Sequence, residues 1–182
     1  MASPTVSTLR RLLVLTIFAL ASGEAGAATL SPDVQHEVAQ DLDDLVAAVA
    51  QHDYDKFVRW TFPAVIEMAG GHDALVDEMK TGYAQMDKLH IRFVSHTSTP
   101  ESQTIDAGAY EVLRVHEESV MEADGRWRAK EISCSLAVRR KPDGPWTFIG
   151  GTGLAKHPEM LPTFLPDLPK DFALPPYSLT SI

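Results

Sequence analysis

The chain has 182 residues, with 16 basic and 25 acidic side chains and a formal charge of −9. That length suits one domain with a sizeable core. The acidic balance repels phosphate backbones and argues against nucleic acid as a partner. A single cysteine, Cys134, excludes an internal disulfide, so packing must hold the fold.

The first segment ends a basic start at Arg10 and Arg11, continues through an apolar run from Leu12 to Ala21, and closes on Ala25-Gly26-Ala27. These are the three parts of a cleavable secretory signal, residues 1–27. The apolar run is about half of what a membrane-spanning helix needs. No cysteine stands at the cleavage point to carry a lipid. The expected product is an exported soluble protein, periplasmic or secreted, with no membrane attachment after cleavage. Its loss of two arginines and one glutamate makes it slightly more acidic than the whole chain.

Ser31 and Pro32 read as a cap and first-turn proline, followed by Val34, Val38, Leu42, Leu45, Val46 and Val49 at helical spacing. This predicts a long amphipathic helix over 32–51. Asp53 caps a short second helix holding Phe57, Val58 and Trp60, which Pro63 should end. The piece from Pro63 to Ala69 reads as extended or turning, closed by Gly70-Gly71. A third helix over 73–88 carries Leu75, Met79, Tyr83 and Met86 on one stripe.

From Ile91 the period becomes two. Strands are expected at Ile91–His96, at Tyr110 to about Glu122, at Trp127–Arg140 and at Trp146–Gly151, with Asp124-Gly125 as a hairpin turn. A two-residue turn there sets Leu113 opposite Leu136, Val115 opposite Cys134, His116 opposite Ser133 and Glu118 opposite Glu131. Leu113, Val115, Cys134, Leu136 and Val138 then share an apolar face, on which Glu111 and Glu117 also fall. The other face is polar, as in a sheet covered on one side. Beyond Leu154, prolines at 158, 162, 166, 169, 175 and 176 forbid a regular helix or central strand. That tail, residues 155–182, is expected to lie extended on the surface, anchored by Leu161, Phe164, Leu165 and Phe172.

Three helices followed by a long antiparallel meander resemble the nuclear transport factor 2-like (SnoaL-like) superfamily over residues 28–154. Asp53 to Phe62, Pro63-Ala64-Val65-Ile66-Glu67, Gly70-Gly71 and Trp146-Thr147-Phe148-Ile149 are similar to its exported bacterial members. The resemblance implies an α+β, cone-like fold, with three N-terminal helices packed on a curved antiparallel sheet. Its members include isomerases, cyclases, epoxide hydrolases and dehydratases, and also proteins of no known activity, so fold alone does not give function.

Lining residues for such a cone are Phe57, Trp60, Met79, Tyr83, Met86 and Tyr110, which suit a flat apolar ligand; the same spacing also describes ordinary core. Acid–base chemistry needs an ionisable group in that apolar space, where burial raises a carboxyl pKa towards neutrality. Glu67, in the stretch Val65-Ile66-Glu67-Met68, is the first candidate, then His90 and Asp106. His116, Glu118 and Glu131, brought together by the expected register, could hold a metal such as zinc. Their outward, polar position favours a solvated or subunit-pairing face instead, and so a possible homodimer. Cys134 on the apolar face reads as a small apolar side chain rather than a nucleophile. No G-x-S-x-G elbow, phosphate loop, dinucleotide fingerprint or HExxH occurs. The leading expectation is therefore a cofactor-free binding protein. It would hold a small apolar ligand or dock a protein partner, as an immunity or inhibitor protein does. A cofactor-free acid–base enzyme of isomerase, cyclase or dehydratase type is the alternative.

Overall fold

A computed structural model describes residues 29–182. The expected export signal, residues 1–27, lies outside the described residues. The fold is α+β, 40% helical and 33% strand. Among the described residues, no helix is long and apolar enough to cross a membrane.

Four helices precede the sheet: α1 (Pro32–Ala50), α2 (Tyr54–Trp60), α3 (Pro63–Met68) and α4 (His72–Lys88). The Ser31 hydroxyl accepts from the Val34 N–H, and Asp53 caps α2 by accepting from the Lys56 N–H. The segment expected to be extended is helix α3. Pro63 ends α2 as anticipated, but it also occupies the first turn of the next helix, where its missing N–H costs nothing. The following Gly70 and Gly71 both adopt positive φ, turning the chain into α4.

The strands are β1 (Ile91–Pro100), β2 (Ile105–Ala107), β3 (Tyr110–Ala123), β4 (Trp127–Arg140), β5 (Thr147–Ile149) and β6 (Ser178–Ser181). They form one antiparallel sheet in the order β1-β3-β4-β5, with β2 on β3 and β6 on β4. Between β5 and β6 lie α5 (Gly151–Lys156), a short 3-10 turn (Pro158–Met160) and α6 (Leu161–Phe164).

The β3–β4 register differs by one residue from the sequence expectation. Asp124 and Gly125 both adopt positive φ, and the Arg126 N–H donates to the Ala123 carbonyl. Regular pairing begins at Ala123 with Trp127, so three residues fill the loop. Because side chains alternate, a slip of one turns the whole of β4 over. Leu113 faces Ala137, Val115 faces Ser135, Glu117 faces Ser133 and Ser119 faces Glu131. Cys134, Leu136 and Val138 stand on the opposite face.

Both sheet faces are covered at this end, in contrast to the one-sided sheet expected. On the inner face Leu113, Val115, Ala137 and Phe148 pack with Val38, Leu42 and Leu45 of α1 and with Trp146. On the other face Val112, Leu136 and Val138 pack with Leu154, Leu161, Phe164 and Leu165. The proline-rich tail is thus a second covering layer, in which prolines make the turns and the apolar residues between them fill the core. It occupies part of the face that sequence reasoning had offered for subunit pairing.

Candidate functional site

Along the inner face, β3 changes character in steps of two residues. Leu113 and Val115 are core. Glu117 and Ser119 follow, and then Met121 and Ala123. Cross-strand neighbours repeat the gradient: Ser135 and Ser133 flank Glu117, while Ala129 and Trp127 accompany Met121 and Ala123. On β1, Ser98 faces Glu117, His96 faces Ser119 and Phe93 faces Met121, with a bulge between Phe93 and Ser95 that keeps both Phe93 and His96 on this face. A polar band thus lies between a buried floor and an apolar row whose Phe93 and Trp127 are 43% and 41% exposed.

Glu117 and His96 are the core of that band. Their side chains are only 11% and 12% exposed. Glu117 accepts from the Ser135 hydroxyl and, at 3.5 Å, from the Ser133 hydroxyl. His96 Nδ1 pairs with the Ser119 hydroxyl at 3.0 Å. His96 Nε2 is buried without a hydrogen-bond partner and lies 3.8 Å from Glu117 Oε1. Burial raises the Glu117 carboxyl above the ordinary glutamate value, and the nearby Glu131 adds to this. The Ser135 and Ser133 hydroxyls and His96 oppose it. A second inner-face acid, Glu111, shows the contrast. Its carboxylate is paired with Arg139 at 2.6 Å, and that guanidinium in turn lies 4.7 Å from the Trp146 ring. Glu111 is held as an ion pair, whereas Glu117 has hydroxyls and an imidazole but no permanent cation. Such an acid can take up and release a proton.

Glu131 belongs to the same face. It accepts from the Thr152 hydroxyl at 2.6 Å and also bonds Tyr177. It therefore stands away from His116 and Glu118, with which the expected register had grouped it. His116 pairs with Glu101 at 3.0 Å and Glu118 with Lys130 at 2.6 Å, both on the tail face. The proposed metal cluster does not assemble, and no group of three metal-ligating side chains converges among the described residues.

The other expected site residues are dispersed. Glu67 and His90 are exposed, so neither has the burial that the acid–base expectation required of them. Exposed Asp106 pairs with Lys141 at 2.7 Å, and that hydrogen bond lowers its pKa. Phe57 joins two apolar clusters, one with Trp60 and the α1 side chains, the other with Met79 and Tyr83 beside Tyr54. Burial pushes the Tyr83 phenol up to about 12, so it stays protonated. Met86 is half-buried towards the end of α4. Tyr110 is separated from the rest: it is on the tail face, edge-on to Phe62 at 5.5 Å. Cys134 is buried against α5, and burial pushes its thiol up to about 11, which disfavours a thiolate nucleophile.

Glu117 was legible in part. Strand alternation alone sets it on the face of Leu113 and Val115, where an acid is anomalous. Its partners were missed because Ser133, Ser135 and Glu131 depend on the β4 register and His96 on the β1–β3 pairing.

Two cavities adjoin the C-terminal segment. One of about 600 Å³ is lined by tail residues including Leu161, Leu165, Leu168, Phe172 and Lys170. The other, of about 150 Å³, lies between Cys134, Gly151, Leu154, Leu174 and Tyr177.

Comparison with known proteins finds no match: no family model, no curated protein and no solved structure corresponds to this chain.

Proposed function

We propose that the domain holds a small, mainly apolar molecule on the inner sheet face and moves a proton on it, without a cofactor. Glu117 is the base and His96 the group that donates to, or orients, the molecule's polar end. The observation that carries this reading is the buried Glu117 carboxyl facing the unpartnered Nε2 of His96 across 3.8 Å. A ligand carbonyl could accept from His96 Nε2–H with its α C–H turned towards Glu117, and a ligand hydroxyl could bridge the two groups. Phe93, Met121 and Trp127, on the same face, would take the apolar body. A carboxyl raised by burial is a stronger base than an exposed one and so suits abstraction of a weakly acidic C–H.

The sequence resemblance to the nuclear transport factor 2-like superfamily agrees with this reading, since cofactor-free isomerases and cyclases belong to it. The signal-like segment 1–27 supports action outside the cytoplasm, where soluble nucleotide cofactors are scarce. Binding without chemistry is the second reading, favoured by the cavity of about 600 Å³ against the tail, a volume ordinary for small-ligand sites.

Titration of isotope-labelled protein with 2-tetralone, a flat apolar ketone with acidic α-hydrogens, separates the two. The expected result is perturbation of the side-chain resonances of Phe93, His96, Met121 and Trp127, with Glu117→Gln still binding within a few-fold. Perturbation confined to Leu161, Leu168 and Phe172 would overturn the inner-face assignment.

A further inference from the structure

The hydroxyl of Ser135 is 2% exposed and has two partners. It accepts from the backbone N–H of Gly151 at 2.9 Å and donates to Glu117. A hydroxyl has one proton. With Gly151 taking up a lone pair, that proton is directed at the carboxylate.

Gly151 reaches this position because it lacks a side chain. A Cβ there would lie 2.7 Å from the backbone carbonyl carbon of Cys134 and under 3.0 Å from the backbone N and O of the same residue. Any larger residue must push the start of α5 off β4, since the obstruction is backbone and cannot rotate away. The next residue, Thr152, donates to Glu131 at 2.6 Å, and Tyr177 bonds the same carboxylate. Two consecutive residues at the start of α5 therefore bear on both inner-face acids of the band.

We infer that Ser135 is a positioning residue for Glu117 and that the Gly151 N–H is its anchor, which makes the C-terminal segment a working part of the site rather than a cover for the opposite face. This rests on the reading of Glu117 as the proton-handling group. The other titratable groups facing that carboxyl are His96 from β1 and Glu131 from β4. The serine variants alter neither of these side chains, whereas Gly151→Ala, by displacing α5, also shifts Thr152 and so bears on Glu131.

The test is a side-chain carbon-13 NMR titration of Glu117, assigned by its loss in Glu117→Gln, in wild type, Ser135→Ala, Ser133→Ala and Gly151→Ala. Ser135→Ala is expected to raise the carboxyl's proton affinity about tenfold, the scale of one hydrogen bond to a charged group. Ser133→Ala, which loses only the 3.5 Å contact, should raise it less. Gly151→Ala should shift it in the same direction as Ser135→Ala although no side chain of the band has changed. If Gly151→Ala fails to fold, the contrast between the two serine variants decides. A raised midpoint in wild type that neither serine variant moves, or that both move equally, overturns the inference and leaves the role of Glu117 standing. An ordinary midpoint in wild type overturns the role of Glu117 itself.

Discussion

Glu117→Gln is expected to make the protein more stable at neutral pH while removing its capacity to abstract a proton. The Glu117 carboxyl lies above its ordinary value chiefly because burial penalises the charged form. A glutamate in the unfolded chain titrates near 4.3. Between that value and the higher folded one, the folded state binds the extra proton. Stability therefore falls as pH rises through this window, and stays at the lower level above it. Each tenfold difference in proton affinity is worth about 1.4 kcal/mol. Glutamine keeps the size and can still accept from Ser135, but it never ionises. The melting temperature of the variant should thus exceed that of wild type at pH 7, by about 2–4 °C per kcal/mol in a domain of this size. The advantage should shrink as the pH approaches 4. Thermal melts by circular dichroism between pH 4 and 8 check this. A variant less stable than wild type at pH 7, with an unchanged pH slope, would show that the carboxylate is a structural partner. Such a stability cost, retained by the natural residue, is characteristic of groups kept for function.

Leu165→Ala is expected to cost about 2–5 kcal/mol, with a fall in melting temperature on the order of 10 °C. Leu165 is 1% exposed and packs with Val112, Leu136 and Val138 of the sheet. Truncating it leaves a cavity between the tail and the strands. Had the tail been a surface strap, the change would have been near-neutral, within about 0.5 kcal/mol. Pro166→Ala, next to it and exposed, is the matched control and should stay within that limit. Equal, small effects at both positions would contradict the two-sided core.

The helices were legible because their apolar spacing is regular and their ends carry caps. The expectation of 32–51 corresponds to Pro32–Ala50, and 73–88 to His72–Lys88. Strands β3, β4 and β5 were placed within a residue or two, since period-two patterning is local, but β1 runs four residues past its expected end at His96 and the short β2 and β6 were not expected. Pairing was less accessible. The Asp124-Gly125 signal marked the turn, but three loop residues rather than two changed which residues of β4 face inward. The face that β3 alone gives Leu113, Val115 and Glu117 agrees with the structure, whereas Tyr110, expected to line the cone, lies on the tail face. Everything that crossed to β4 inverted, including Glu131, Ser133 and Ser135. The prolines of the tail were expected to forbid a regular helix, yet the short helix α6 forms among them, and they said nothing of the leucines between them, whose burial is decided by a sheet face far away in sequence. Pro63 carries two meanings, a stop for α2 and a start for α3, and residue type alone shows only the first.

The most direct test of the proton-handling site is hydrogen–deuterium exchange at the α-carbon of 2-tetralone in deuterium oxide, followed by proton NMR with wild type and Glu117→Gln side by side. Wild type should accelerate exchange over buffer, with a rate that rises as Glu117 deprotonates and then levels. Glu117→Gln should lose about 10²–10⁴ of that acceleration, the usual worth of a positioned base. Exchange no faster with wild type than with buffer, or equally fast with the variant, would contradict the assignment.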